Sequence, residues 1–124
     1  MLGSARLQTL VWSSDLARAR PFYSDLLGLR IKAEAQGALV DEVGGGDLRV
    51  SPTPSTKPSE HTVLGFAVSN IDDIAEAMAA RGLQTERFPG FDHDDRGIWR
   101  APDGTKVLWF RDPDGNLLSV VQYG

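Results

Sequence analysis

The chain has 124 residues, of which 41% are hydrophobic and 24% charged, and its net charge at pH 7 is −4. This balance predicts one soluble globular domain with a buried core. Because the sequence lacks cysteine, disulfides and thiolate chemistry are excluded. The acidic balance disfavours nucleic acids and anionic membranes as partners. No apolar run reaches the ~20 residues of a membrane helix, and the N-terminus lacks a signal-peptide core, so the cytoplasm is the expected location.

The first half of the chain predicts a strand followed by a helix, in the segment LQTLVWSSDLARARPFYSDLLGLRI. Ser14 and Asp15 suit the start of a helix, since their side-chain oxygens can accept bonds from free helical amides. Gly28 suits its end, and Pro21 predicts a kink, because proline removes one helical hydrogen bond. Three short strands are predicted next, at residues 29–35, 38–43 and 47–51, with a glycine turn at 44–46.

The second half repeats this order, beginning with HTVLGFAVSNIDDIAEAMAARGLQT. Ser69 and Asn70 suit the helix start and Gly82 its end. Strands are predicted at residues 84–88, 97–101, 106–111 and 116–122, with Pro-Asp-Gly turns at 102–104 and 113–115. The sequence therefore predicts one α+β domain, with modules at residues 1–51 and 60–124 and a proline-rich linker at 52–59. Two βαβββ modules of this kind would form a curved mixed sheet around a cleft, with the helices outside.

Three segments make the chain resemble the vicinal oxygen chelate superfamily, which includes glyoxalase I, extradiol dioxygenases, fosfomycin resistance enzymes and bleomycin resistance proteins. They are SSDLARARPFYSDLLGLRI, VLGFAVSNIDDIAEAMAARG and GIWRAPDGTKVLWFRDPDGNLLSVVQ. The resemblance covers nearly the whole chain and implies the same paired-module fold. It does not imply one activity, because a single scaffold can host many chemistries.

The resemblance also implies where a metal would bind, since metal-dependent members carry His, Glu or Gln ligands on the inner faces of four strands. Those positions fall here on Gln8, within residues 48–59, on Val63 and on Ser119. Residues 48–59 contain no Asp, Glu or His, and valine cannot bind a metal. One amide and one hydroxyl do not offset the dehydration of a divalent cation. We therefore expect no metal and no other cofactor.

Two other groups could supply metal ligands. His61 has the same strand parity as Val63, so a shifted register could bring it to the cleft, yet with Gln8 it makes only two ligands. The segment FDHDD, Phe91–Asp95, contains ligand-type side chains but has no spacing that places them on one face. We expect this segment to be a solvated loop.

Strand alternation predicts the side chains that line the cleft. The expected inner-face residues are Gln8, Leu10, Trp12, Val63, Gly65, Ala67, Leu117, Ser119 and Val121. The tryptophans suit stacking on a planar or cationic ligand. The predicted ligand-binding residues are Gln8, Trp12, Val63, Gly65, Trp99, Trp109 and Ser119.

Two functions remain open from the sequence. The first is a metal-independent protein that binds and sequesters a small organic molecule, aromatic or cationic, as bleomycin resistance proteins do. A homodimer is expected with it, because many relatives close their clefts at a dimer interface. The second is a lyase, isomerase or dioxygenase-like enzyme, either with an unusual metal site or metal-free with Glu42, His61, His93 or an Asp as general base. The sequence slightly favours the binding protein, leaves open whether it is an enzyme, and assigns no catalytic residue.

Overall fold

Residues 1–124 are all described by the computed structural model, and they fall into two units. The first unit comprises Met1–Pro58 with Pro113–Gly115, and the second comprises Ser59–Asp112 with Asn116–Gly124. Each unit contains its own mixed β-sheet and its own helix. The α+β fold class is confirmed, and hydrogen bonding divides the strands into one sheet of four strands and one of five.

The first unit follows the predicted order of one strand, one helix and three strands. Its elements are β1 (Gln8–Ser13), α1 (Leu16–Arg20), β2 (Arg30–Ala35), β3 (Ala38–Val43) and β4 (Gly46–Pro52). The sheet order is β1-β4-β3-β2, with β1 parallel to β4 and the other pairs antiparallel. Its core contains alternate residues of the strands, such as Val11 and Leu48, together with the fully buried Tyr23.

The helix of the first unit changes geometry at Pro21. Asp15 caps the start of α1, where its carboxylate accepts hydrogen bonds from the backbone N–H groups of Ala17 and Arg18. The α-helical segment ends at Arg20 and continues as a π-helical segment, Pro21–Leu26. Proline has no backbone N–H to donate in an α-helix. The change from α-helix to π-helix therefore occurs at Pro21, where the sequence predicts a kink.

The second unit repeats the order with a less regular sheet. Its elements are β5 (Leu64–Ala67), α2 (Ile71–Ala80), β6 (Thr85–Glu86), β7 (Trp99–Arg100), β8 (Lys106–Arg111) and β9 (Leu117–Gln122). The sheet order is β5-β9-β8-β6, and β7 also pairs with β8. The strands predicted at 84–88 and 97–101 shorten to two residues each, because residues 88–97 form a loop.

Helix α2 covers one face of the second sheet. Asn70 caps it by accepting a hydrogen bond from the N–H of Asp73 at 3.2 Å, and Gly82 follows its end with a φ of 74°. Ile71 and Ala75 are buried on α2, which contacts β8 and β9. The sheet residues buried toward it are Leu108, Phe110, Leu118 and Val120. We call the opposite side, which carries Ser119 and Trp109, the open face.

No helix in the protein combines the length and the apolar character needed to cross a bilayer.

Candidate ligand-binding site

Four residues form a row across the open face of the second sheet. In the strand register, Gly65 on β5 lies beside Ser119 on β9, Ser119 beside Trp109 on β8, and Trp109 beside Glu86 on β6. A side chain on Gly65 would start 3.1 Å from the Ser119 hydroxyl. The glycine therefore leaves room beside that hydroxyl on the open face.

Four rings contact the ring of Trp109, and we call Phe88, Phe91, His93, Trp99 and Trp109 the aromatic cluster. The ring centroids of Trp99 and Trp109 are 6.2 Å apart, with an angle of 35° between the planes. Phe91 meets Trp99 edge-on at 4.9 Å, and Phe88 meets Trp109 edge-on at 5.4 Å. Phe91 is 42% exposed, and both tryptophans are half-buried. The cluster therefore offers aromatic surface on which a planar molecule can stack.

The sequence suggested that His93 lies in a solvated loop. In the structure, His93 instead packs within the aromatic cluster. Its Nε2 accepts a hydrogen bond from the Phe88 N–H at 3.0 Å, and its Nδ1 lies 2.8 Å from the Gly97 carbonyl oxygen. Its neighbour Asp94 is also engaged, because its Oδ1 accepts hydrogen bonds from the N–H groups of Arg96 and Ile98, both at 2.9 Å. With both nitrogens bonded, His93 can accept a proton only if it loses the hydrogen bond from Phe88.

An ion pair lies next to Trp109. Arg111 Nε donates to Glu86 Oε1 at 2.7 Å, and the two side chains are 36% and 37% exposed. Glu86 is the register partner of Trp109, so this pair borders the aromatic cluster. The pair is electrically neutral and supplies hydrogen-bonding atoms at the edge of the cluster.

A pocket of about 360 Å³ shares His93 with the aromatic cluster. It is lined by Asp72, Asp92, His93, Asp94, Ile98, Arg100 and Lys106. Asp72 is already paired with Lys106 at 3.1 Å. The lining has more carboxylates than cationic side chains. Arg100 and Lys106 are register partners and, by strand alternation, lie on the side of the sheet opposite Trp99 and Trp109. The volume is within the usual range for small-molecule sites.

Two of the predicted binding residues, Gln8 and Trp12, belong to the first unit. Both lie on the exposed side of β1, where Trp12 is 59% exposed. Gln8 is the register partner of Asp47 on β4. Asp47 carries a carboxylate and directly precedes residues 48–59, the segment in which a metal ligand was sought. The pKa of Asp47 lies below its ordinary value, mainly because Arg6 donates a hydrogen bond to its carboxylate at 2.9 Å. A second hydrogen bond, from Lys32 at 2.9 Å, lowers the pKa further. Asp47 is therefore already neutralised by two cations.

The residues at the family's metal positions do not fit a divalent cation. Val63 offers no donor side chain, and its backbone N–H bonds the Leu117 carbonyl at 3.0 Å. His61 is exposed, and its Nδ1 lies 2.6 Å from the Ser59 hydroxyl. No three His, Asp or Glu side chains converge closely enough to hold a metal ion. Gln8 and Ser119 then remain as neutral oxygen donors, too few for the usual sites.

The chain belongs to the glyoxalase/bleomycin resistance protein/dioxygenase superfamily, whose family model matches residues 6–120. It is similar to the crystal structure of a lactoylglutathione lyase from Agrobacterium tumefaciens, with 20% identity, a TM-score of 0.73 and coverage of 96% of this chain and 93% of that one. A glyoxalase/bleomycin resistance protein/dioxygenase from Alicyclobacillus acidocaldarius has 18% identity, a TM-score of 0.72 and coverage of 97% and 92%. No match is found among curated proteins. At these identities the likeness shows the shared fold.

Sequence reasoning did not find the complete aromatic cluster. It selected Trp99 and Trp109 but not Phe88, and it treated Phe91 and His93 as parts of a solvated loop. The available signal was the spacing of aromatic residues around two glycines, Gly90 and Gly97, with positive φ values of 87° and 92°. Glycines at these two positions allow the loop to turn back toward the sheet, but they do not show which aromatic rings contact each other.

Proposed function

We propose that the protein is a metal-independent small-molecule binding protein that sequesters a planar aromatic or cationic compound at the aromatic cluster. The observation that carries the proposal is the pair of half-buried tryptophans, Trp99 and Trp109, with the exposed ring of Phe91 beside them. Core tryptophans are normally covered on both sides, whereas these leave ring surface accessible. A positive charge on the ligand would be stabilised by the negatively polarised faces of the tryptophan rings.

The expected affinity is moderate. A three-ring compound that covers about 250 Å² of apolar surface would gain roughly 6 kcal/mol at about 25 cal/mol per Å². A positive charge over a tryptophan adds about 1–2 kcal/mol. The sum, about 7–8 kcal/mol, corresponds to a dissociation constant of roughly 1–10 μM at the tightest, because the entropic cost of association weakens it.

The enzyme alternative has less support, because each of the three named candidate bases, His93, His61 and Glu42, contacts another group. His93 has both nitrogens bonded. His61 contacts the Ser59 hydroxyl, and Glu42 is exposed and lies 3.7 Å from Arg6. We therefore assign no catalytic residue for lyase, isomerase or dioxygenase chemistry.

We also propose that the protein acts as a homodimer in the cytoplasm. On the exposed side of β1, Leu10 is 50% and Trp12 59% exposed, and a second copy would remove this apolar surface from water. Sedimentation equilibrium tests this, and a monomer at all concentrations would contradict it.

Calorimetric titration with two probes tests the binding site. N-methylacridinium carries a fixed positive charge, whereas acridine at alkaline pH is uncharged. We expect both to bind, with the cation binding more tightly, and we expect Trp109→Ala to remove binding. Tyr123→Ala is the control, because Tyr123 is 73% exposed but makes no ring contact with the cluster. Equal binding to wild type and Trp109→Ala would refute the assignment of the site.

A further inference from the structure

We propose that the neutral ring of His93 positions the aromatic cluster, and that protonation of His93 takes the cluster apart and releases its ligand. The ligand part of this proposal rests on the proposed function, whereas the structural part concerns the protein alone. His93 is thus a positioning residue, which acts through Phe88, Phe91 and Trp109.

The hydrogen-bond partners of His93 define its tautomer. A backbone N–H can only donate, and a carbonyl oxygen can only accept. Because Nε2 faces the Phe88 N–H at 3.0 Å, it must carry a lone pair, and because Nδ1 faces the Gly97 oxygen at 2.8 Å, it must carry the proton. A second proton on Nε2 would set two donors against each other, and the bond to Phe88 would be lost.

These two bonds close the loop that carries the cluster. Phe88 and Gly97 lie at opposite ends of the loop, so His93 ties both ends to its own ring. Phe91 lies between them, with its ring centroid 5.9 Å from Trp109. The His93 ring itself lies 5.9 Å from Trp109. Loss of the Phe88 bond would therefore loosen the segment that holds both phenylalanine rings against the tryptophans.

Charged groups face His93 from the helix, the loop and the sheet. They are Asp72 on α2, Asp92 and Asp94 in the loop, Arg100 on β7 and Lys106 on β8. Asp72 pairs with Lys106, while Asp94 accepts two backbone hydrogen bonds. Because carboxylates outnumber cationic side chains here, a positive charge on the His93 ring is not repelled. Protonation therefore affects the cluster because Nε2 no longer accepts the hydrogen bond from Phe88.

Circular dichroism of the free protein tests the structural part. Trp99 and Trp109 are close enough for their transitions to couple, and Trp99→Phe assigns the resulting couplet by removing it. We expect the wild-type couplet to disappear on acidification in a transition that involves one proton. His93→Gln should keep the couplet throughout, because its amide offers one acceptor and one donor but does not titrate. His61→Gln is the matched control and should follow the wild-type curve.

Binding of N-methylacridinium tests the functional part. We expect its dissociation constant to rise about tenfold across the wild-type transition, as for one lost hydrogen bond to a partly buried amide, and to stay constant in His93→Gln. His93→Phe, which keeps a ring but has no hydrogen-bonding atoms, should lack the couplet at neutral pH while its amide I infrared spectrum shows unchanged secondary structure.

Different outcomes separate the two proposals. A wild-type couplet that is independent of pH, or a His93→Gln variant that follows the wild-type curve, would overturn the role of His93. A couplet that behaves as expected, together with no binding of the probe to any variant, would overturn the proposed function and support the positioning role of His93.

Discussion

Replacing Asp41 with valine is expected to stabilise the protein. Asp41 lies on β3 in the first unit, is 0% exposed, and has no hydrogen-bond partner for either carboxylate oxygen. Burial raises the pKa of Asp41 above its ordinary value of 3.8, and the nearby charge of Arg20 opposes this only in part. Valine has a similar shape and suits a strand, so it can fill the same space without the polar atoms.

The magnitude follows from the missing partners. A buried polar group without a hydrogen bond costs about 1–3 kcal/mol, and a charged group costs more. Because Arg20 offsets part of this cost, we expect Asp41→Val to raise the free energy of unfolding by about 2 kcal/mol at neutral pH. For a chain of this size that corresponds to a melting temperature about 8 °C higher.

Urea denaturation followed by circular dichroism measures this change. Glu42→Val is the matched control, since Glu42 is the next residue on β3, has a side chain 43% exposed, and should change stability by no more than about 0.5 kcal/mol. A less stable Asp41→Val protein, with the control unchanged, would refute the reasoning.

The same variant should change the dependence of stability on pH. Because the pKa of Asp41 is raised by folding, the folded chain holds this proton more tightly than the unfolded chain. The Asp41 contribution to the free energy of unfolding therefore falls as the pH rises from 3.8 through the raised pKa. The advantage of Asp41→Val should be smallest in acid and grow to a plateau, and an advantage that is constant with pH would contradict this.

Two further substitutions test the helix cap and the closed loop of the second unit. Asn70→Ala should lower the free energy of unfolding by about 1 kcal/mol, because the N–H of Asp73 loses its acceptor; an unchanged urea midpoint would contradict this. Gly97→Ala should cost about 2–4 kcal/mol, because its φ is 92° and the new methyl group would lie 2.7 Å from Thr85 Cβ. Gly90→Ala is its control, with a φ of 87° and open space around it, and should cost only about 1 kcal/mol. Equal losses for the two glycine variants would show that the contact with Thr85 is unimportant.

Local signals carried the prediction of the helices. Asn70 and Gly82 were expected to bound the second helix, and they do, with one capping hydrogen bond and one positive φ of 74°. Both features depend only on residues close in sequence, so the sequence alone suffices to predict where the helix begins and ends. Pro21 is similar, since its missing N–H is a local property, although the π-helical form of the following segment was not predicted.

The aromatic cluster was predicted only in part because its causes are not local. Strands β6 and β7 have two residues each, too few for an alternation pattern to show. The His93 ring shapes the loop between them through its hydrogen bonds with Phe88 and Gly97. These bonds form only when the ring points toward the loop backbone and away from solvent. A run of acidic residues around His93 gave the opposite indication, of a solvated loop.

The buried carboxylate was also beyond the sequence analysis. Sequence reasoning considered Glu42 as a candidate base, whereas the structure buries its neighbour Asp41 between Ile31 and Leu48 in the strand register. In the sequence ALVDEV either acidic residue can face the core, because the answer depends on the register with the adjacent strands.

The most direct measurement compares binding of N-methylacridinium before and after removal of metals. The protein is treated with a chelator, its metal content per chain is determined by mass spectrometry, and the probe is titrated calorimetrically. The titration is repeated after loading with zinc, nickel or manganese. Metal-independent binding at the aromatic cluster predicts one site per chain with the same dissociation constant in every sample. Binding that appears only in a metal-loaded sample, with a matching metal stoichiometry, would contradict it.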